Sequence, residues 1–349
     1  MQYVGLDYHT ETSFVFVTDE KDREIFKGNI YTVELGKVLE SFDGAEVLFE
    51  AGYGWLRLVK QLDELPVKLR MCHPEANRRI ATDRRKSDGR DARNLAVYLR
   101  TESYKEAYMP DDEIRDERQL IRDRVNVARE ITRLKNRIHS TLAYAGIPKA
   151  SPKIFARKNR HYFDTIELPA KTGEVVNMSL EALDLCREHR RRLDNLIIEM
   201  NRADPRARLL RTIPGVGDLT ARVLLAEIGE ISRFKNADSL ACYTGLVPQQ
   251  RQSGNSMRTM GVTKEGSTNV RSVLVQAAWI AIRRDPALRE FFETIKAKKN
   301  SQTAICAVAR KLVTFAWYIL KKEVPYRAQK PETRDKPDVA RGTEAADDL

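Results

Sequence analysis

The sequence predicts an α/β N-terminal domain built on a mixed β-sheet, followed by a long helical region and a mainly α C-terminal domain. Three patterns carry that reading: apolar runs separated by charged turns over residues 2–71, a helical apolar repeat over 111–145, and further helical patterns beyond 209.

YVGLD (3–7), SFVFVTD (13–19) and REIFKGNI (23–30) are β-rich runs joined by short polar turns, as in a hairpin-led sheet. A helix over 32–42, the strand EVLFE (46–50), a helix over 55–65 with Trp55, Leu58, Val59 and Leu62 at helical spacing, and the strand PVKLRM (66–71) follow. Hairpins passing into β-α-β require a mixed sheet. A ribonuclease-H-like fold satisfies that pattern.

Over 111–145, Val127, Ile131, Leu134, Ile138 and Leu142 recur at three- and four-residue steps, interleaved with many arginines. Those arginines fit a solvated face, contacts to nucleic acid or pairing with a partner helix. Pro148 and Pro152 end the helix, and 146–178 reads as an irregular connection containing Pro169 and Gly173. A second helix over 179–202 carries Leu193, Leu196, Ile197 and Met200 on one stripe, suited to an antiparallel hairpin or a dimeric coiled coil. The expected domains are 1–105, 106–205 and 206–327. The polar tail 328–349, with Pro331 and Pro337, reads as disordered.

Composition narrows the partners. Across 349 residues, 61 Lys+Arg against 50 Asp+Glu leave a net charge of +11, which points to an acidic partner such as nucleic acid. Cys72, Cys186, Cys242 and Cys306 lie far apart with no CxxC, so neither a zinc knuckle nor a disulfide framework is indicated. Reduced thiols, a strand starting within a few residues of the N-terminus, and no apolar run read as reaching the roughly 18 residues of a membrane span predict a soluble, cytoplasmic protein without membrane contact. His9, His73, His139, His161 and His189 show no metal-like spacing and are given no role.

Four acids stand out. Asp7 and Glu50 end two predicted strands, and ligands of α/β sheets bind beyond the carboxyl ends of strands. In RRKSDGRDARNLAVYL (84–99), Asp88 and Asp91 lie three apart at the head of a predicted helix, on one face. Together the four could hold one or two Mg²⁺ with substrate phosphate completing the shell. Arg84, Arg85, Arg90 and Arg93 surround the pair as candidate nucleic-acid contacts. The same spacing also fits an ordinary helix start, with Asp88 as a cap and the arginines in surface ion pairs.

Further on, Ile213-Pro-Gly-Val-Gly217 between helical patterns resembles a helix-hairpin-helix turn, in which Gly215 and Gly217 let backbone N–H groups approach a phosphate. A tight turn without ligand fits as well. A polar loop then carries Ser253 and Ser256 among Arg251, Arg258 and Lys264, ahead of an apolar helix over 269–282. A loop serine is commonly a turn residue, but one flanked by arginines could attack a phosphate. The helix over 302–322 reads as core.

With these residues placed, the chain resembles the DEDD transposases of the insertion sequence 110 family, recombinases with a RuvC-like N-terminal domain and a C-terminal serine transposase domain. The resemblance spans 2–327 and rests on the order of YVGLD, LFEAGYG, KSDGRDAR, IPGVG and QRQSGNS. It implies that Asp7, Glu50, Asp88 and Asp91 bind Mg²⁺ and that the serine before glycine, here Ser253 with Ser256 second, is the nucleophile. It implies a structured guide RNA pairing with donor and target DNA, and a dimeric or tetrameric homo-oligomer in which acids and serine come from different subunits. Where the family often has Glu-Ser-Gly-Ser-Ser, this chain has Gln252-Ser253-Gly254-Asn255-Ser256, so no role follows for the residue before the serine. A metal-dependent junction resolvase or structure-specific nuclease would explain the acids without the serine. A non-catalytic binding protein would explain the charge without the acids.

Overall fold

A computed structural model describes residues 1–74, 87–148, 151–253, 256–262 and 266–328, with the backbone alone over 248–253 and 256–262. The chain divides into two compact units, Met1–Pro110 and Asp111–Leu349.

In the first unit, β1 (Gln2–Asp7), β2 (Thr12–Asp19) and β3 (Glu24–Tyr31) form an antiparallel meander. After α1 (Leu35–Leu39), β4 (Glu46–Glu50) pairs parallel to β1; after α2 (Trp55–Leu62), β5 (Lys68–Cys72) pairs parallel to β4. The strand order is β3-β2-β1-β4-β5, a mixed sheet. Strand alternation sorts the side chains onto two faces. Val4, Leu6, Val15, Val17, Val47 and Phe49 meet α1 and α2 through Leu35, Leu39, Leu58 and Leu62. Tyr3, Phe16 and Leu48 face the other way, onto α3 (Asp88–Arg100) and its Ala92, Leu95, Ala96 and Leu99. Because both faces are covered, Val47, Leu48 and Phe49 are all buried and β4 reads as a continuous apolar run.

The second unit begins with α4 (Asp112–Tyr144), capped by Asp111, whose side chain accepts from the Ile114 N–H at 2.8 Å. Its partner α5 (Ala170–Ala203) runs antiparallel. The Arg124–Asp194 pair closes one end, and Ile131, Leu134, Ile138 and Leu142 pack with Val176, Leu180 and Leu183 toward the other. Of the two packings the sequence left open, the pairing within one chain is the one observed. The helix starts at Ala170 rather than 179: Pro169 stands just outside as the N-cap and Gly173 is accommodated inside, so the residues that read as breakers cost little.

Among the described residues, six further α-helices follow: α6 (Pro205–Leu210), α7 (Asp218–Ile228), α8 (Ala237–Tyr243), α9 (Thr268–Arg284), α10 (Pro286–Lys298) and α11 (Ser301–Lys322). They enclose one core that also takes in Ile121 of α4. The expected boundary near 205 is therefore bridged. Arg222 of α7, 2 % exposed, binds Glu117 of α4 at 2.9 Å, Asn201 of α5 at 3.0 Å and Asp204, the N-cap of α6, at 3.5 Å. Between α8 and α9 the expected polar loop is instead an antiparallel ribbon, β6 (Pro248–Ser253) and β7 (Ser256–Val262).

Contrary to the sequence-based expectation, α11 is long and apolar enough to cross a membrane, with mean hydropathy 1.4 over 18 residues. Half of that window is buried, and Ala304, Val308, Leu312, Val313 and Ala316 lie inside the core, the use the sequence also indicated. Beyond α11, Tyr326 donates its hydroxyl to Asp285 at 2.7 Å and its N–H to Thr212 Oγ1 at 2.8 Å. Of the expected disordered tail, 329–349 lies outside the described residues.

Removing Arg222 leaves two carboxylates without their shared cation. Arg222→Met is expected to destabilise this unit by about 3 kcal/mol in urea unfolding. Burial pushes the Asp204 carboxyl up, but hydrogen bonds from Arg206 and the charges of Arg206 and Arg222 outweigh it and hold the group below its usual range. Its stabilisation is complete above the unfolded carboxylate value of about 4 and is lost as pH falls through the lower folded value. Urea midpoints on descending pH should therefore fall more steeply for wild type than for Arg222→Met.

Candidate functional site

The site is set by strand alternation and one missing side chain. Tyr3, Gly5 and Asp7 share the α3 face of β1, as Leu48 and Glu50 share that of β4. The parallel register pairs Leu6 with Phe49, so Asp7 and Glu50 follow as neighbours at the carboxyl ends of adjacent strands. A Cβ on Gly5 would fall 1.9 Å from the Ala92 carbonyl oxygen and 2.5 Å from the Ala96 nitrogen, so glycine alone lets α3 lie directly on β1. Asp88, Ala92 and Ala96 recur every four residues on one stripe of α3. With Ala92 over Gly5, Asp88 stands one turn further on, beyond the strand end, where Asp7 is.

The donor atoms of Asp7, Asp88 and His9 accordingly lie within 4.8 Å of one another. His9 Nε2 is 3.4 Å from Asp7 Oδ2. Burial pushes the Asp7 carboxyl above its usual range; His9 pulls it down, and the charges of Asp88 and Asp91 push it up again. The Tyr98 phenol is raised by burial and then by the charges of Asp91 and Glu50, which places both acids around this residue of α3. Asp7 and Asp88 are thus brought together, with Asp91 and Glu50 flanking. Like charges brought together at a corner where Asp7 is half-buried and Asp88 and His9 are exposed form, with the imidazole, a donor set that fits a divalent cation.

The sequence reading gave His9 no role. The signal available was its place two residues beyond a strand-end acid, which means little until Asp88 is known to approach.

Among the basic residues, Arg84 and Arg85 lie outside the described residues, and Arg90 is exposed on the first turn of α3. Arg93, 60 % exposed, sits 3.9 Å from Asp22 and 5.9 Å from the Phe16 ring centre, a loose surface pairing. In the second unit, Ser253 and Ser256 face each other as a backbone pair at the end of the ribbon, and Arg251 pairs with Arg258. Gly254 and Lys264 lie outside the described residues. The two glycines of the IPGVG turn differ. A Cβ on Gly215 would meet the Ala277 carbonyl oxygen of α9 at 2.2 Å, so this residue serves close packing; Gly217, at the start of α7, faces open space. Asp218 beside it is paired with Arg211 at 3.2 Å.

Comparison with known proteins gives this arrangement its class. A DEDD transposase family model matches residues 4–146, all but the first three residues of the first unit together with α4, and the model of the transposase IS116/IS110/IS902 family matches 207–293. The transposase for insertion sequence element IS1328 of Yersinia enterocolitica is 23 % identical over 324 residues, 90 % of this chain and 96 % of that protein. The transposase for insertion sequence element IS1111A of Coxiella burnetii is 26 % identical over 263 residues, covering 69 % and 68 %. A pilin gene-inverting protein of Moraxella bovis is 35 % identical over 141 residues, 38 % of this chain and 44 % of its own. Both matched stretches are those of transposases. The chain belongs to the IS110 family of DEDD transposases. Membership implies a DNA substrate and dependence on a divalent metal.

The close approach at Gly5 is directly testable. Gly5→Ala is expected to destabilise the first unit by about 3 kcal/mol or more, because the new methyl meets helix backbone. Gly89→Ala would place its methyl 3.0 Å from the Phe14 ring. A ring can turn aside, and alanine favours the helix by about 1 kcal/mol, so thermal unfolding should show a far smaller loss.

Proposed function

We propose that the chain is the transposase of an insertion sequence, a site-specific recombinase that cuts and exchanges DNA strands with Mg²⁺ held by Asp7, Glu50, Asp88 and Asp91 and with Ser253 as nucleophile. The approach of Asp7 and Asp88 at the carboxyl end of the central strand, with Glu50 and Asp91 flanking, carries this reading. The strand order β3-β2-β1-β4-β5, antiparallel on one side of β1 and parallel on the other, supports a ribonuclease-H- or RuvC-like domain. Relatives named for transposition and for gene inversion support recombination over simple hydrolysis.

When bound, the cation supplies positive charge at a phosphate oxygen and makes the phosphorus easier to attack. The four carboxylates fix where that charge stands relative to the DNA. Ser253 Oγ forms a bond to phosphorus as a phosphorus–oxygen bond to deoxyribose breaks; the seryl proton is lost and the departing strand end takes one up as a free hydroxyl. Arg251 and Arg258 offset charge on the transferring phosphoryl. Because the phosphoserine conserves the ester bond, no ATP is needed. Arg84, Arg85, Arg90, Arg93 and Lys264 contact phosphates, as do the amides beside Gly217, while Gly215 holds the turn on α9. A structured guide RNA pairs with donor and target DNA, and the protein works as a dimer or tetramer in which acids and serine come from different subunits.

Incubation with the DNA ends of the element and Mg²⁺, followed by denaturing electrophoresis, tests this. Wild type should give a covalent protein–DNA adduct. Ser253→Ala should bind DNA without forming one, Ser256→Ala should keep most activity, and Asp91→Ala should lose cleavage while staying folded. Free ends without adduct would make the chain a nuclease, and intact DNA a binding protein. Affinity should also fall steeply between low and physiological salt, because each neutralised phosphate releases a counterion. A flat dependence would mean the arginines serve internal ion pairs.

A further inference from the structure

We infer that His9 Nε2 ligates the same cation as Asp7 and Asp88, giving a centre of mixed nitrogen and oxygen donors that favours Mn²⁺ over Mg²⁺. The inference rests on the metal-centre reading above. Ligands of one cation at about 2.1 Å stand roughly 3 to 4 Å apart. The donor atoms of Asp7, His9 and Asp88 already lie within 4.8 Å of one another, so small rotations close the set.

The second observation is how His9 is held. Ser13 and Thr32 are both fully buried, and buried hydroxyls are unfavourable unless bonded. Both are committed to His9. Thr32 Oγ1 donates to the His9 carbonyl at 2.8 Å, the two hydroxyls bond each other at 2.8 Å, and the His9 N–H donates to Ser13 Oγ at 3.3 Å. The Thr32 N–H also donates to the Glu11 carbonyl at 2.9 Å, tying down the rest of the turn. Interior hydrogen bonds therefore fix the backbone of a residue whose side chain is 58 % exposed. An ion pair that exposed contributes little to stability, so the brace is better matched to a ligand whose position matters. An imidazole nitrogen adds more affinity for a transition ion such as Mn²⁺ than for Mg²⁺, a hard ion that prefers oxygen and gives up its waters reluctantly.

The test uses tag-free, full-length protein and Mn²⁺ as the probe. Electron spin echo spectra of bound Mn²⁺ should show a directly coordinated ¹⁴N in wild type and lose it in His9→Ala. Mn²⁺ affinity of that variant should fall by about tenfold or more, and Mg²⁺ affinity, measured by competition, by less. Should His9→Ala fail to fold by circular dichroism, His9→Gln keeps a hydrogen-bonding side chain and must lose the nitrogen signal likewise. Bound Mn²⁺ without coordinated nitrogen in wild type, or a nitrogen signal that survives in the variants, overturns the role of His9 and leaves the carboxylate site standing. Failure of wild type to bind Mn²⁺ at all overturns the metal centre itself and this inference with it.

Discussion

The first unit depends on a hydrogen atom where other residues carry a methyl group. At Gly5 the backbone of α3 approaches β1 so closely that any Cβ would overlap the Ala92 carbonyl. That contact fixes the height and rotation of α3 over the sheet, and with them where its first turn ends. Alanines at 92 and 96 answer the glycine from the helix side, both fully buried. Asp88 inherits its position from this stripe and Asp7 from the strand below. Their proximity follows from backbone packing and needs no mutual attraction, which matters because two carboxylates repel. Packing energy of the kind that apolar burial supplies holds together charges that would otherwise separate.

The second unit handles charge in the opposite way. Arg222 lies in the mostly apolar middle of its helix, is almost wholly buried and is satisfied by three partners from three elements. Here attraction fastens the structure, joining the α4–α5 hairpin to the helices that follow. One unit keeps like charges close at a surface corner, with His9 beside Asp7; the other neutralises its buried charge within the fold.

Much of this was legible in the sequence where the physics is local. Apolar runs ending in Asp7 and Glu50 mark strand ends, and the repeat from Val127 to Leu142 marks the face that α5 covers. Asp88 and Asp91 were visible as a pair because helical spacing is fixed. What the sequence hid depends on distant partners. The place of His9 beside Asp88 requires knowing that α3 crosses β1. Gly215 and Gly217 look equivalent, yet one packs under α9 and the other is open. The run PQQRQS (248–253) is polar almost throughout, so it lacks the alternation by which strands are recognised, although a Gly-Asn pair between two runs is itself a hairpin signal. Arg222 stands amid the apolar run of ARVLLA (221–226), a sign of a buried partner that periodicity does not register.

The bonds of Tyr326 have a practical consequence for handling the chain. Its N–H reaches the residue just before the IPGVG turn, and its hydroxyl reaches the N-cap of α10. The phenol also packs on Phe315 of α11, with ring centres 5.1 Å apart. Three segments far apart in sequence are therefore stitched by a residue that lies after the last helix. A fusion partner or label joined beyond residue 328 leaves every one of these stitches in place. A truncation that stops with α11 removes them all and frees the helix junctions they secure, so the functional C-terminal border lies several residues past the last secondary structure.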